Sequence, residues 1–278
     1  MSDDRTAIDV SAAELTDRLE LALEAAQEAG QLTLELFGRD DLAVERKGDD
    51  SPVTVADRRA EQCLRARIAQ RFPSDGILGE EFPEQSGTSG FRWILDPIDG
   101  TKSFIHGVPL YATLIGVERG GESLVGVIHI PPLGETVYAA AGCGAWYRRG
   151  QHPPRPAVVS SRALAEGLFL TSEVRNFHAT GRGDAYLRLQ SAARLSRSWG
   201  DGYGYLLVAT GRAELMVDPI AALWDMAALM PIIEEAGGRL TDWQGRRTLA
   251  SGQCVASNGR IHDEVVALLG AGAKPAEP

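Results

Sequence analysis

An apolar residue recurs every three or four positions near the start of the chain, at Leu15, Leu19, Leu23 and Ala26. This spacing predicts an amphipathic helix. Ser11 followed by Glu14 is typical of a capping box at its N-terminus, and Gly38 is expected to end the segment. Thr54 predicts the N-cap of a second helix, which runs to about Arg71.

Strand patterns follow in the next part of the chain. Ile94 and Leu95 predict a short strand that ends at Asp96, because the residue before a proline is driven towards extended conformations. The segment 111–132 predicts a β-hairpin that turns at its glycine pair, 120–121. The segment 135–150 predicts another strand and turn. Hairpins that follow helices indicate an α+β arrangement.

The second half of the chain has a different pattern. A stretch rich in proline and basic residues, 148–162, is the candidate linker. Beyond it, strands are predicted at 167–171, 193–197 and 213–218, and helices through 186, at 202–211 and at 223–238. The last helix has a glycine C-cap. Alternating strands and helices indicate an α/β unit. We therefore expect two halves, 1–150 of the α+β class and 151–278 of the α/β class.

The composition narrows the classes of protein. Hydrophobic residues are 44% and charged residues 24% of 278, as in ordinary globular proteins. The net charge of −10 argues against a non-specific nucleic-acid binder, which needs a basic surface. There is no apolar run of membrane-spanning length, and the acidic N-terminus does not resemble a signal peptide. Cys63, Cys143 and Cys254 are too widely spaced to predict a disulfide framework or a zinc site. We expect a cytoplasmic protein with no membrane or nucleic-acid partner.

Four acidic residues lie beside predicted strand or helix ends: Glu80, Asp96, Asp99 and Asp225. Each has an ordinary interpretation alone, since Glu80 fits a solvated loop, Asp99 a turn before glycine, and Asp225 a helix N-cap. If the fold brings them together, their carboxylates repel one another unless a cation lies between them. Carboxylate oxygens select Mg²⁺, Mn²⁺ or Ca²⁺ and disfavour zinc.

The residues after Asp99 add an anion site. Gly100 allows the backbone to approach a ligand closely, and Thr101 supplies a hydroxyl and an N–H group. A helix turn that begins near Thr101 would hold an anion on its free N–H groups. Carboxylates for Mg²⁺ beside such a turn indicate a phosphate site.

Three segments, "GEE", "DPIDGTKSF" and "WDMAALMPIIEEAGG", resemble in order and spacing the signature segments of the inositol monophosphatase-like family of metal-dependent phosphatases. The likeness extends over nearly the whole chain, and the second segment is the most specific. The resemblance implies a layered α-β-α-β-α sandwich with an α+β half followed by an α/β half. It also implies a homodimer, because members of the family usually form dimers.

The same resemblance assigns metal ligands. Glu80, Asp96 and the backbone carbonyl of Ile98 would hold one Mg²⁺, and Asp96, Asp99 and Asp225 would hold a second. Glu80 would also face a third, weaker ion through water. Mn²⁺ is a substitute that the same ligands would accept.

It assigns catalytic and phosphate-binding residues as well. Thr101 and Glu80 would orient and deprotonate the attacking water, and Asp57 would support Thr101. The N–H groups of Gly100 and Thr101 would grip the phosphate of a small ester substrate.

The segment "SRSWGDGYGY" most resembles the histidinol-phosphate phosphatase branch of the family. Asp201 in this segment, together with Asp218, would pair with the cationic parts of histidinol phosphate. An alternative is that Asp201 caps the following helix. Trp199 is interpreted as a core residue.

Two other functions stay open. One is an enzyme of the same family that hydrolyses inositol monophosphate or a related sugar phosphate, against which Asp201 argues. The other is a binding protein that keeps the fold without turnover, against which the complete set of acids argues. Phosphate release from a panel of esters distinguishes the three.

Overall fold

The computed structural model of the chain describes residues 10–39, 41–46, 48 and 52–271. The helices are α1 (Ala12–Leu34), α2 (Val55–Arg71), α3 (Thr101–Ile105), α4 (Val174–Ala179), α5 (Gly183–Ala192), α6 (Asp201–Ala209), α7 (Leu223–Ala227), α8 (Leu229–Glu235) and α9 (His262–Gly270). Among the described residues, no helix combines the length and the apolar character that crossing a membrane requires.

The strands are β1 (Val44–Arg46), β2 (Pro52–Thr54), β3 (Gly76–Gly79), β4 (Phe91–Asp99), β5 (Ala112–Arg119), β6 (Glu122–Ile130), β7 (Glu135–Ala140), β8 (Ala145–Arg149), β9 (Arg155–Pro156), β10 (Leu168–Leu170), β11 (Leu195–Arg197), β12 (Leu215–Asp218), β13 (Arg239–Thr241) and β14 (Cys254–Ser257). The predicted hairpin is confirmed as β5–β6, and the predicted strand and turn over 135–150 form a second hairpin, β7–β8.

The two N-terminal helices begin where the sequence predicts. Ser11 and Glu14 form a reciprocal capping box on α1, and Thr54 forms one with Asp57 on α2. Each box satisfies backbone N–H groups that have no partner within the helix. Helix α1 ends at Leu34, earlier than expected, and the chain then passes through turns to Gly38.

Strands β3 to β9 form a seven-stranded sheet in chain order, in which β3 is parallel to β4 and the later neighbours are antiparallel. Strand β9 lies inside the stretch predicted as a linker and pairs with β8 as the last strand of this sheet. The linker prediction is therefore wrong for those residues, since they belong to the first sheet. The division at residue 150 stays a prediction.

A five-stranded sheet forms the second half, in the order β11-β10-β12-β14-β13. Its strands alternate between two cores: Leu215 and Val217 belong to one hydrophobic cluster, while Met216 between them belongs to another. Because successive strand residues point to opposite faces, this sheet is buried on both sides.

The two sheets and the helices make five layers. Helices α1 and α2 cover the outer face of the seven-stranded sheet, and α6, α7 and α8 fill the space between the sheets. Helices α4, α5 and α9 cover the outer face of the five-stranded sheet. The predicted α-β-α-β-α sandwich is confirmed.

The helix predicted over 223–238 is broken into α7 and α8 at Ala228. Pro231 has no N–H to donate to the carbonyl of Ala227, four residues earlier. The hydroxyl of Ser123 donates to that carbonyl instead, at 2.5 Å. The predicted glycine cap is confirmed, since Gly237 has a φ of +86° after the end of α8.

Two facing glycines position the helix break on the first sheet. Gly116 of β5 and Gly126 of β6 are directly opposite each other in the ladder. A Cβ added to Gly116 would lie 2.7 Å from the Cβ of Ala227, and one added to Gly126 would collide with the carbonyl oxygen of Ala228. The two glycines thus form a notch, called the glycine notch below, that admits the α7–α8 junction against the strands.

Gly126→Ala is expected to lower the free energy of unfolding by about 1–3 kcal/mol, because the methyl group meets backbone that has no free space to move into. Urea denaturation measures the change. Gly270→Ala is the matched control, since its Cβ meets nothing within 4 Å. Equal stability of the two variants would contradict the glycine notch.

Candidate active site

An extra residue in β4 brings Asp96 and Asp99 to the same side of the sheet. Asp96 pairs with Leu114 of β5, whereas Asp99 pairs with Ala112, so three steps on β4 match two on its partner. Residues three apart in a regular strand face opposite sides, and one extra residue cancels that difference. The strand predicted to end at Asp96 therefore continues through the bulge to Asp99.

Proline explains where the bulge forms. Pro97 cannot donate to the ladder, and strand prolines are confined to edges and bulges. Its carbonyl accepts a hydrogen bond from the Thr113 hydroxyl at 3.0 Å, and the N–H of Ile98 donates to the carboxylate of Asp96 at 3.1 Å. The Asp96 carboxylate is therefore held in place by the backbone of the bulge that follows it.

Asp225 reaches the same place from the second half of the chain. It lies in the first turn of α7, where its carboxylate accepts a hydrogen bond from the N–H of Ala222 at 2.7 Å. One carboxylate oxygen from each of Asp96, Asp99 and Asp225 lies within 4.8 Å of the others. These three side chains are called the acid cluster below.

Burial and mutual repulsion raise the pKa values of the acid cluster. Burial, followed by the charge of Glu80, raises the pKa of Asp96 well above its usual value, and burial with the charge of Asp201 does the same for Asp99. Burial raises the pKa of Asp225 to about 7. The strongest neighbouring charges are thus other carboxylates, and a divalent cation would offset their negative charge. Carboxylate oxygens are the hard ligands that Mg²⁺ prefers.

The backbone next to Glu80 is held by Glu61, a residue that was not predicted from the sequence. The buried carboxylate of Glu61 accepts a hydrogen bond from the N–H of Glu81 at 2.7 Å and one from Arg65 at 2.7 Å. A Cβ on Gly79 would collide with this carboxylate. The glycine before Glu80 was the available sequence signal, because it permits the close approach.

Thr101 and Asp57 are in contact, as the resemblance implies. The Thr101 hydroxyl lies 3.3 Å from a carboxylate oxygen of Asp57 and 3.1 Å from the carbonyl oxygen of Ile98. The other Asp57 oxygen accepts two hydrogen bonds from Thr54, at 2.7 and 2.8 Å. Burial raises the pKa of Asp57. Gly100 has a φ of +86°, which lets the chain turn directly into α3.

Asp201 does not cap α6, so that interpretation is wrong. The N-cap is Gly200, and Asp201 has a φ of +53°, a value no other non-glycine residue has in the described part of the chain. The backbone N–H of Asp201 donates to the hydroxyl of Ser172 at 2.9 Å, and its carboxylate lies over Gly100. Burial, followed by the charge of Asp218, raises the pKa of Asp201 to about 6.

The next residue ties α6 to the acid cluster. The N–H of Gly202 donates a short hydrogen bond to the carboxylate of Asp99. A Cβ at Gly202 would lie 2.9 Å from that carboxylate oxygen. The pattern "GDG" around Asp201 therefore combines the left-handed backbone of Asp201 with the close approach of Gly202 to the Asp99 carboxylate.

Asp218 is buried and fully engaged by the protein. Its two oxygens accept hydrogen bonds from the Thr171 hydroxyl, from the N–H and hydroxyl of Ser172, and from the Tyr205 hydroxyl, at 2.8 to 3.2 Å. Ser172 in turn holds the backbone of Asp201. Ser172 and Tyr205 were not predicted from the sequence, because only tertiary contacts identify them.

A pocket of about 600 Å³ connects these groups, and Glu80, Asp99, Thr101, Asp201 and Asp225 all line it. Trp199 lies at its rim with 45% of its surface exposed, so its interpretation as a core residue is wrong. Lys102 and Glu173 also line the pocket and form an ion pair with 2.5 Å between their charged atoms.

The layered fold, with acidic side chains gathered beside the turn at Gly100, is that of a metal-dependent phosphatase. The chain belongs to the inositol monophosphatase family, whose model matches residues 14–271. Members of this family depend on metal ions, and this chain is a phosphoric monoester hydrolase.

The curated relatives agree with this class. A protein from Chlorobaculum parvum named histidinol-phosphatase is 44% identical, over 93% of this chain and 98% of its own. A Mycobacterium tuberculosis protein of the same name is 40% identical, over 92% and 99%. A Thermotoga maritima protein named fructose-1,6-bisphosphatase/inositol-1-monophosphatase is 34% identical, over 90% and 94%.

Solved structures share the fold. The extragenic suppressor protein suhB from Bartonella henselae aligns with a TM-score of 0.84 at 29% identity, over 92% of this chain and 99% of its own. An IMPase/NADP phosphatase described as complexed with Mg²⁺ and phosphate aligns with a TM-score of 0.79 at 20% identity, over 93% and 97%.

The metal-free protein is expected to lose stability as the pH rises. The pKa of Asp225 is about 7 in the folded protein, against an ordinary value of 3.8. At pH values between these two, the folded protein keeps a proton on Asp225 that the unfolded chain has lost. This contribution to the free energy of unfolding is fully present below the lower value and lost as the pH rises through the higher one. Melting temperatures in EDTA should fall over that window.

Mg²⁺ should reverse the trend, because it replaces the proton as the partner of the carboxylates. The increase in melting temperature on adding Mg²⁺ should be larger at about pH 8 than at about pH 6. Asp225→Asn should flatten the pH dependence in EDTA. A metal-free melting temperature that rises across this window would contradict the account.

Proposed function

We propose that the protein is a Mg²⁺-dependent phosphatase that hydrolyses histidinol phosphate to histidinol and inorganic phosphate, a step of histidine biosynthesis. The observation that carries the choice of substrate is the partly buried carboxylate of Asp201 over Gly100, beside the turn that would hold phosphate. A cationic substrate group placed there gains a charge-assisted contact, whereas a neutral polyol does not. The two relatives named histidinol-phosphatase support the same choice.

The acids would hold two Mg²⁺ ions, with a third, weaker ion facing Glu80 through water. Glu80, Asp96 and the carbonyl of Ile98 would hold the first ion, and Asp96, Asp99 and Asp225 the second. When bound, the ions supply acidification of the attacking water and neutralisation of charge on the phosphoryl oxygens. Mn²⁺ suits the same oxygen donors.

The protein's own groups orient that water and accept its proton. The Thr101 hydroxyl has its proton directed at Asp57 or at the Ile98 carbonyl, which leaves its oxygen lone pairs for the water. Asp57 has a raised pKa and is therefore a stronger base than an exposed aspartate, so it can take the proton that Thr101 passes on. Glu80 would orient the same water.

The substrate would lie between the two halves of the chain. The N–H groups of Gly100 and Thr101 stand at the start of α3 and are free of intrahelical partners, so they would bind the phosphate. Asp201 would pair with the ammonium group. Asp218 would add negative charge and, through Ser172, keep Asp201 in place.

Two alternatives and two finer points are decided by experiment. A sugar-phosphate phosphatase is suggested by the Thermotoga maritima relative, and a non-catalytic protein of the same fold is the third candidate. Phosphate release from histidinol phosphate, inositol monophosphate and fructose bisphosphate, with Mg²⁺ or EDTA, separates them. A homodimer and a cytoplasmic location also remain proposals; the three cysteines are free thiols, which agrees with a reducing compartment.

Thr101→Ala is expected to lower kcat by about 100-fold with little change in KM, because the hydroxyl acts on the water in the transition state. Thr101→Ser is the matched control, since it keeps the hydroxyl, and it should recover most of the rate. Steady-state phosphate release measures both. If only KM changed in the alanine variant, Thr101 would bind substrate without activating water.

Asp201→Asn is expected to lower kcat/KM for histidinol phosphate by about tenfold or more, the loss of a charge-assisted contact worth roughly 1.5–3 kcal/mol. Asparagine tolerates the left-handed backbone at this position, so the fold is retained. Activity on phenyl phosphate, which has no cationic group, should change little. Equal losses on both esters would refute a recognition role.

A further inference from the structure

An ion pair joins the two segments that form the mouth of the pocket. Lys102 follows Thr101 in α3, and Glu173 follows Ser172 between β10 and α4. The Lys102 ammonium lies 2.5 Å from the Glu173 carboxylate, although the residues are 71 positions apart in the chain. Each partner is thus the direct neighbour of a residue that the proposed reaction uses.

The charges that line the pocket are strongly unequal. The charged lining residues within the described part of the chain are Glu80, Asp99, Lys102, Glu173, Asp201, Asp218 and Asp225. Lys102 is the one cation among them. After metal ions neutralise Glu80 and the acid cluster, three carboxylates remain on the side of Asp201, and one ammonium group faces them.

The pair is placed where a ligand can replace it. The Lys102 side chain is 69% exposed and the Glu173 side chain 34% exposed. Exposed ion pairs contribute little to stability, so opening this one costs the fold little. Both charges also act on Asp201, whose pKa Lys102 lowers and Glu173 raises. The pair and Asp201 therefore share one electrostatic environment.

We propose that Lys102 and Glu173 form an exchangeable ion pair that selects phosphate monoesters carrying a protonated amine. When the substrate binds, its phosphate pairs with the Lys102 ammonium, and its own ammonium group pairs with the Glu173 carboxylate beside Asp201. An ester of this class supplies both missing partners, since it carries both charges. An ester without an amine pairs with Lys102 and leaves the Glu173 carboxylate without a partner, so its binding is disfavoured. The proposal rests on the proposed function and adds two residues that determine specificity.

Glu173→Gln should move two activities in opposite directions. It removes the partner of the ammonium group, so kcat/KM for histidinol phosphate and for phosphoethanolamine should fall by about tenfold. It also releases Lys102 from its competitor, so kcat/KM for phenyl phosphate should rise by roughly two- to fivefold. A merely structural ion pair predicts a loss on every ester. Equal losses, or no change on any ester, would overturn the proposal.

Two further variants complete the test. Lys102→Met should lower kcat/KM for all three esters, because each loses a phosphate contact; unchanged values would also overturn the proposal. Asp263→Asn removes the acid of an exposed ion pair with Arg239 that does not line the pocket, and it should change none of the activities. Melting temperatures of all variants check that the fold is retained.

Failure of the proposed function has a different signature. Wild-type protein that releases phosphate from phenyl phosphate but not from histidinol phosphate would refute the substrate assignment. The rise in phenyl phosphate turnover in Glu173→Gln would still support the exchange, and its absence would refute it.

Discussion

The repulsion among three closely spaced carboxylates is the constraint on which the structure depends. Oxygens of Asp96, Asp99 and Asp225 lie within 4.8 Å of one another in a site where Asp96 is buried and the other two are partly buried. Burial alone disfavours three negative charges, and the raised pKa values of all three carboxyls express that cost. Backbone and neighbouring side chains hold each acid separately, and a divalent cation would relieve the repulsion.

The features that position the three acids come from both halves of the chain. A proline bulge in β4 sets two of the acids on one side of the first sheet. The glycine notch, Gly116 and Gly126, lets the α7–α8 junction press against the same sheet, which brings Asp225 to meet them. The N–H of Gly202 reaches Asp99 from the start of α6. The candidate active site is therefore also the place where the two halves of the chain pack against each other.

The pocket has two sides with different chemistry. The side of the acid cluster suits metal ions and a phosphate, and it is common to phosphatases of this class. The other side is formed by Asp201, Asp218 and the Lys102–Glu173 pair, and it carries excess negative charge. Selection among phosphate esters would depend on this second side, because the phosphate group itself is the same in every candidate substrate.

The sequence by itself determined the local features and the class of chemistry. The Ser11 capping box, the Thr54 N-cap, the hairpin at 120–121 and the acids of the signature segments follow from residues a few positions apart, whose effects on the backbone are local. The tertiary structure alone decided that Asp201 lies over Gly100 and does not cap α6, that Trp199 is at the rim, and that Asp218 is engaged through Ser172. Those contacts join residues up to about a hundred positions apart, and no local pattern records them.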